Sequence, residues 1–179
     1  AQGLIYRVEQ GAVVLDGRVD LPLPLAGHGA QTLRDGRIYV FGGLSDGEPS
    51  DQLWIYHPLD ETWTEGASMP GARVEAATAQ VYGRYLVAVG GGDSLEPNSQ
   101  ATDSLLIYDR HLGDWTEATT LLPQAVQGAG AIAFGTQLYV VGGMENGRPV
   151  NEALRRSVTA AVAVLTTDTS ASNTMEVLG

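Results

Sequence analysis

Short apolar runs separated by polar, glycine-containing breaks fill most of the sequence, and three of these runs close on a pair of glycines. They are Ile38-Tyr39-Val40-Phe41-Gly42-Gly43, Leu86-Val87-Ala88-Val89-Gly90-Gly91 and Leu138-Tyr139-Val140-Val141-Gly142-Gly143, with the pairs 48 and 52 residues apart. Their length and their β-branched and aromatic content predict strands. Upstream of each lies another apolar stretch and a tight turn: Arg34-Asp35-Gly36-Arg37, Val81-Tyr82-Gly83-Arg84 and Ala133-Phe134-Gly135-Thr136. Glycine supplies the positive φ that such turns need, so each predicts a hairpin. Downstream, Leu53-Trp54-Ile55-Tyr56 leads to Trp63 and Leu105-Leu106-Ile107-Tyr108 leads to Trp115, with the same Tyr-to-Trp spacing both times. Each Trp is followed by Thr-Glu, and Pro70 or Pro123 precedes the next unit. A unit therefore reads strand, hairpin, strand, long loop, strand, turn, strand.

The double Gly after a strand, and the Tyr and Trp separated by six residues in a unit of about 50, resemble the kelch repeat, of bacterial type. The resemblance covers residues 24–147. It implies an all-β fold, a kelch-type β-propeller whose blades are four-stranded antiparallel sheets set radially around a channel. The units divide the chain into outer strands of a preceding, incomplete blade over 1–23, kelch-like blades over 24–68 and 69–121, and a degenerate last blade and tail over 122–179. Leu4-Ile5-Tyr6-Arg7 echoes the Leu-x-Ile-Tyr strand at the front, and residues 12–15 fall where the Trp strand belongs. After Gly143 no Trp follows; the expectation there is a β-rich stretch over 157–167, a polar loop over 168–174 and a last strand over 175–178. Three to three and a half blades are fewer than the roughly four to eight that close a ring, so this is a partial propeller. Its open β edges and blade faces invite a protein partner, or another copy, to complete it. A fragment of a longer propeller reads the same way.

Composition narrows the chemistry. The 179 residues carry 21 Asp and Glu against ten basic residues, all of them Arg, for a formal net charge of −11. With no Cys there is no disulfide, thiolate metal site or cysteine nucleophile, and with no Lys there is no Schiff base or phosphate-binding lysine. Kelch propellers include a copper–radical oxidase that needs a Cys joined to a Tyr, which this chain cannot build. The acidic balance excludes nucleic acid as the expected partner, because phosphates are met by cationic side chains. The longest apolar stretch, 158–165, falls well short of the roughly 20 residues that span a bilayer, so no transmembrane segment is expected. The small residue at position 1 and the acidic, Lys- and Cys-free composition lead to the expectation of a periplasmic or extracellular protein.

Candidate functional residues are positional. The recurring aromatics, Tyr39, Tyr56, Tyr108, Tyr139, Trp54, Trp63 and Trp115, fit packing between blades. The Gly pairs are followed by polar loops and not by the helix that a phosphate-binding glycine loop requires. His28, His57 and His111 are too scattered to share a metal, no Gly-x-Ser-x-Gly elbow occurs, and neither cofactor nor metal is expected. In kelch propellers the loop after the double Gly and the loop entering the next blade open on one face, where ligands dock. Here that face carries Asp46, Glu48, Asp51, Asp93, Glu96, Asp103, Glu145 and Glu152 against Arg148 alone, with Arg73 and Glu75 expected nearest the channel mouth. The leading reading is a non-catalytic protein–protein interaction or scaffold module, part of a larger assembly, that docks through this acidic loop face and its open blade edges. The alternative is a periplasmic sugar-acid epimerase in which Arg73 binds an anionic substrate and Glu75 is the acid/base.

Overall fold

In a computed structural model, residues 2–96, 98–119, 121–135, 137–151, 153–157 and 176–178 are described. Three four-stranded antiparallel sheets follow one another along the chain, each built in sequence order. An N-terminal hairpin, β1 (Gln2–Glu9) and β2 (Ala12–Asp20), precedes them. The first blade comprises β3 (Gly29–Thr32), β4 (Ile38–Phe41), β7 (Leu53–His57) and β8 (Thr62–Glu65). Between β4 and β7 a small hairpin is inserted, β5 (Leu44–Ser45) and β6 (Glu48–Pro49). The second blade is β9 (Ala77–Val81), β10 (Tyr85–Val89), β11 (Leu105–Asp109) and β12 (Asp114–Glu117). The third is β13 (Gly130–Phe134), β14 (Gln137–Val141), β17 (Ala153–Ser157) and β18 (Glu176–Leu178), again with an inserted hairpin, β15 (Met144–Glu145) and β16 (Arg148–Pro149). In the third unit the strand that pairs with β14 therefore starts at Ala153, ahead of the stretch expected from residue 157, and 158–175 lie outside the described residues.

The Tyr-x6-Trp spacing is a cross-strand pair. Tyr56 stands opposite Trp63 across β7–β8, and Tyr108 opposite Trp115 across β11–β12, with ring centroids 4.9 and 5.2 Å apart. Trp115 also meets Phe41 of the first blade edge-on at 5.7 Å, and Tyr39 meets Tyr108 at 5.8 Å. Tyr39, Phe41, Tyr108 and Trp115, with Leu53, Leu86 and Leu106, form one apolar cluster between the first and second blades. The opposite face of the second blade presents Ala77, Ala79, Val87 and Ile107 to Leu138, Val140 and Leu154 of the third in a second cluster. Each fully buried Leu in these clusters contributes about 2–3 kcal/mol of transfer free energy. The second blade is thus sandwiched, and its strands β10 and β11 are buried at every position. Small residues on β9 and β13 let the first strands of neighbouring blades run side by side.

The Gly pairs have a specific steric job. Gly42 has φ +65°, and a Cβ on it would stand 2.5 Å from the Arg73 carbonyl, where the chain enters the second blade. A Cβ on Gly90 would press still closer on the Val126 carbonyl, at the entrance to the third. The next residue completes a staple: Gly43 N–H donates to Arg73 O (2.7 Å) and Gly91 N–H to Val126 O (2.8 Å). Two glycines are needed because the entering segment of one blade crosses directly over the end of the last one. At the third pair a Cβ on Gly142 would meet only Val150 O, at 3.7 Å, and Gly143 N–H has no partner among the described residues.

Candidate functional site

Because β3 and β4 are antiparallel, the segment entering a blade and the loop leaving its second strand emerge at the same end. Single antiparallel bridges lock the two together in every blade: Ala26 with Leu44, Val74 with Gly92, and Gln127 with Met144. The loops over 44–51, 92–103 and 144–151 therefore share one face.

Two of the three loops are hairpins, not irregular loops. Asp46 (φ +52°) and Gly47 turn β5 into β6, and Asn146 (φ +49°) and Gly147 turn β15 into β16, as two-residue turns with both positions at positive φ require. Asp46 and Glu48 project from the first, exposed. Asp51 is exposed just beyond it, and its carbonyl accepts the Met69 N–H (2.8 Å). On the other hairpin Glu145 is half-buried and stands across from the exposed Arg148, with no ion pair between them within 4 Å. Glu152 lies outside the described residues.

The middle loop has no hairpin and is built around Asp93. Its carboxylate accepts Ser99 Oγ–H and the Gln100 N–H, each at 2.9 Å, while Ser99 Oγ accepts the N–H groups of Asp93 and Ser94. The Gln100 N–H first, and then the Ser99 hydroxyl, hold the Asp93 carboxyl below its ordinary pKa. Asp93 thus supports its own loop. Glu96 is exposed at the tip, and Asp103 is half-buried, with its carbonyl accepting the Leu122 N–H (2.7 Å).

Arg73 and Glu75 are separated in role. The sequence reading puts both at the channel mouth, but Arg73 is buried between the first two blades. Its Nη1 donates to Gly90 O (2.8 Å) and Ser104 O (3.0 Å), and its Nη2 to Ser104 Oγ. Burial pushes the guanidinium pKa down, and the charge of Glu117 works the other way. The side chain ties the entering segment to the ends of β10 and β11, and both terminal nitrogens are spent on that task. Glu75 does sit on the shared face, with φ +54° at the place where Gly27 (+63°) and Gly128 (+64°) stand in the flanking repeats. Its backbone carries an arc of hydrogen bonds across the blades, Glu75 N–H to Gly27 O (2.7 Å) and Gly128 N–H to Glu75 O (3.0 Å). Its carboxylate accepts Gln127 Nε2 (3.0 Å), which also donates to Ser94 O (2.7 Å).

Gln127 is the residue that sequence reasoning missed. It is buried and joins the second and third blades through those two bonds. The signal was available: the equivalent bridge positions carry the apolar Ala26 and Val74. A shallow cleft of about 190 Å³ runs between Ala72, Gly92, Asp93 and Thr102 on this face. His57 bonds Thr64 Oγ1 (2.9 Å) at the opposite end of its blade, and His111 is exposed. Among the described residues no three His, Cys, Asp or Glu side chains are grouped to hold a metal, and no helix is long and apolar enough to cross a membrane.

Comparison with known proteins now bears on this scaffold. The model of the KLHDC2/KLHL20/DRC7 Kelch-repeats domain matches residues 13–143. This chain belongs to the kelch-repeat family. Kelch-like protein 40a of Danio rerio is 30% identical over 122 residues, 65% of this chain and 19% of that protein. Human Kelch-like protein 23 is 28% identical over 116 residues, covering 65% and 20%, and human Kelch-like protein 25 is 29% identical over 145 residues, covering 78% and 24%. The kelch chain thus spans about a fifth to a quarter of the length of these relatives. The solved structure of YjhT superposes with a TM-score of 0.78 at 14% identity, over 99% of this chain and 59% of that one. That likeness gives the fold: three consecutive kelch blades, all β, following the course of a propeller.

Proposed function

We propose that this kelch chain is a non-catalytic protein-interaction module that docks a cationic protein surface on its acidic loop face. One observation carries the reading: Asp46, Glu48, Asp51 and Glu96 stand exposed on one bridge-locked face, and none has an ion-pair partner among the described residues. Unpaired charge of one sign on a fixed frame accelerates encounter with an oppositely charged surface and sets its register. Arg73, which would oppose that field, is turned inward, leaving Arg148 as the exposed cation of the loops. Membership of a family whose propellers offer this face to ligands supports the same reading. The open blade edges are its second docking element, taken by a protein partner or another copy that continues the ring.

The test separates charge from loop structure by sparing Asp93. Binding of the chain to an immobilised deca-arginine peptide is measured at two salt concentrations. The combined variant Asp46→Asn, Glu48→Gln, Glu96→Gln is expected to bind about tenfold more weakly, with a flatter salt dependence. Equal affinity and an equal salt slope contradict the reading.

A further inference from the structure

An open, solvent-facing groove of about 610 Å³ lies at the end of the blades opposite the acidic loops, beside the β3–β4, β9–β10 and β13–β14 turns. That volume is in the range of small-molecule sites. Its polar lining comes from Gln31, Arg34, Gln80 and Tyr82, with Ala133 and Gly135 of the third blade at its border.

Three features mark this groove as more than a gap between turns. The first is Arg34, the one charged residue of the lining, in a chain of net charge −11. Its guanidinium has no acidic partner among the described residues. The adjacent Asp35 accepts from Tyr39 Oη (2.8 Å) and lies 3.7 Å from Arg110. The Arg34 stem lies over Gly83, where a Cβ would crowd it, and Arg34 N–H donates to Gly83 O (3.1 Å). The cation is therefore held in place by its backbone and its stem, with the head unspent.

The second is Tyr82. It has φ +53° in the three-residue β9–β10 loop of Tyr82, Gly83 and Arg84, where the Arg84 N–H donates to Val81 O (3.1 Å) and both central residues are at positive φ, a conformation that suits Asn, Asp or Gly. The two-residue turns of the described residues put Gln10, Asp46 and Asn146 at the corresponding positive-φ position, none of them aromatic. A bulky residue there is a backbone outlier that persists when something else is gained. Its ring is not gained as core, since Tyr82 is 54% exposed. The third is Gln80, exposed on β9, whose amide has no partner among the described residues.

We propose that this groove binds a small planar carboxylate, its anionic end held by Arg34 and Gln80 and its flat body lying on the Tyr82 ring. A guanidinium donates two parallel N–H bonds to a carboxylate, and an aromatic face takes a flat apolar body. The site is independent of the acidic docking face.

The test is a titration of the isotope-labelled chain with benzoate, followed through backbone amide signals, with benzamide as the uncharged control. Benzoate is expected to give saturable shifts at Arg34, Gln80 and Tyr82, with benzamide at least about tenfold weaker. Arg34→Gln should lose at least about tenfold in affinity, because the charge-assisted bond goes. Tyr82→Asn places a residue at home in this turn; it should keep or raise the melting temperature while weakening benzoate about fivefold. Absence of saturable shifts, equal binding of benzamide, or unchanged affinity in Arg34→Gln overturns the proposal. So does unchanged affinity in a folded Tyr82→Asn variant.

Discussion

Asp109 lies buried at the end of β11 and takes three bonds: Arg84 Nε (2.8 Å), Arg84 Nη2 and the His111 N–H (2.9 Å). Burial alone would raise its carboxyl pKa. The Arg84 bonds, the His111 N–H and the charge of Arg84 outweigh burial and hold it below the ordinary value. A carboxyl depressed in the folded state contributes stability that is fully present above the unfolded value, about 3.9, and is lost as pH falls through the folded one. The melting temperature of the wild type is therefore expected to drop steeply below about pH 4. Asp109→Asn should melt lower at pH 7, by about 5 °C or more, and show a shallower acid fall. Parallel acid profiles of the two proteins would show that this carboxylate is not linked to folding.

Between elements, the decisive contact is the staple of a Gly pair over the entering segment of the next blade. Gly90→Ala forces a Cβ into the Val126 carbonyl as well as a side chain into positive φ, and should destabilise by about 3 kcal/mol or more. Gly142→Ala keeps the φ cost alone, about 1 kcal/mol, because among the described residues only Val150 O comes near that Cβ, at 3.7 Å. Denaturant unfolding of the two variants measures the difference, and equal losses would contradict the staple. The sequence makes the blades legible because the Gly pairs and the Tyr–Trp pairs are local signals with fixed spacing. The β5–β6 and β15–β16 hairpins are not evident in the sequence, although Asp46-Gly47 and Asn146-Gly147 suit two-residue turns, because each flanking strand is only two residues long. The inward turn of Arg73 was not legible. It depends on Gly90 O and Ser104, which fold places beside it from 17 and 31 residues away. Asp93 looked like a docking acid for the same reason: its partner Ser99 lies across a loop whose closure no spacing announces.

On the scale of the whole molecule, apolar surface is buried between blades and left open on the third blade and the N-terminal hairpin. Ile132, Phe134 and Val141 are exposed on the third blade, Phe134 at 78%. Leu4, Tyr6, Val8, Val13 and Leu15 are likewise exposed on the N-terminal hairpin, where Tyr6 pairs with Leu15 and Val8 with Val13. Trp63 belongs to the same story. Its equivalent Trp115 donates to Ala67 O of the preceding blade (2.9 Å), whereas the buried Trp63 Nε1 has no acceptor among the described residues. Exposed apolar faces and a buried donor without an acceptor among the described residues are the surfaces on which we propose that another copy of the chain docks. Mass in solution across a range of concentrations tests this most directly. The account predicts a mass rising above the 18.8 kDa of one chain with concentration, and Ile132→Ser with Phe134→Ser lowering that rise. A constant 18.8 kDa at every concentration, with both surfaces still exposed, would contradict it.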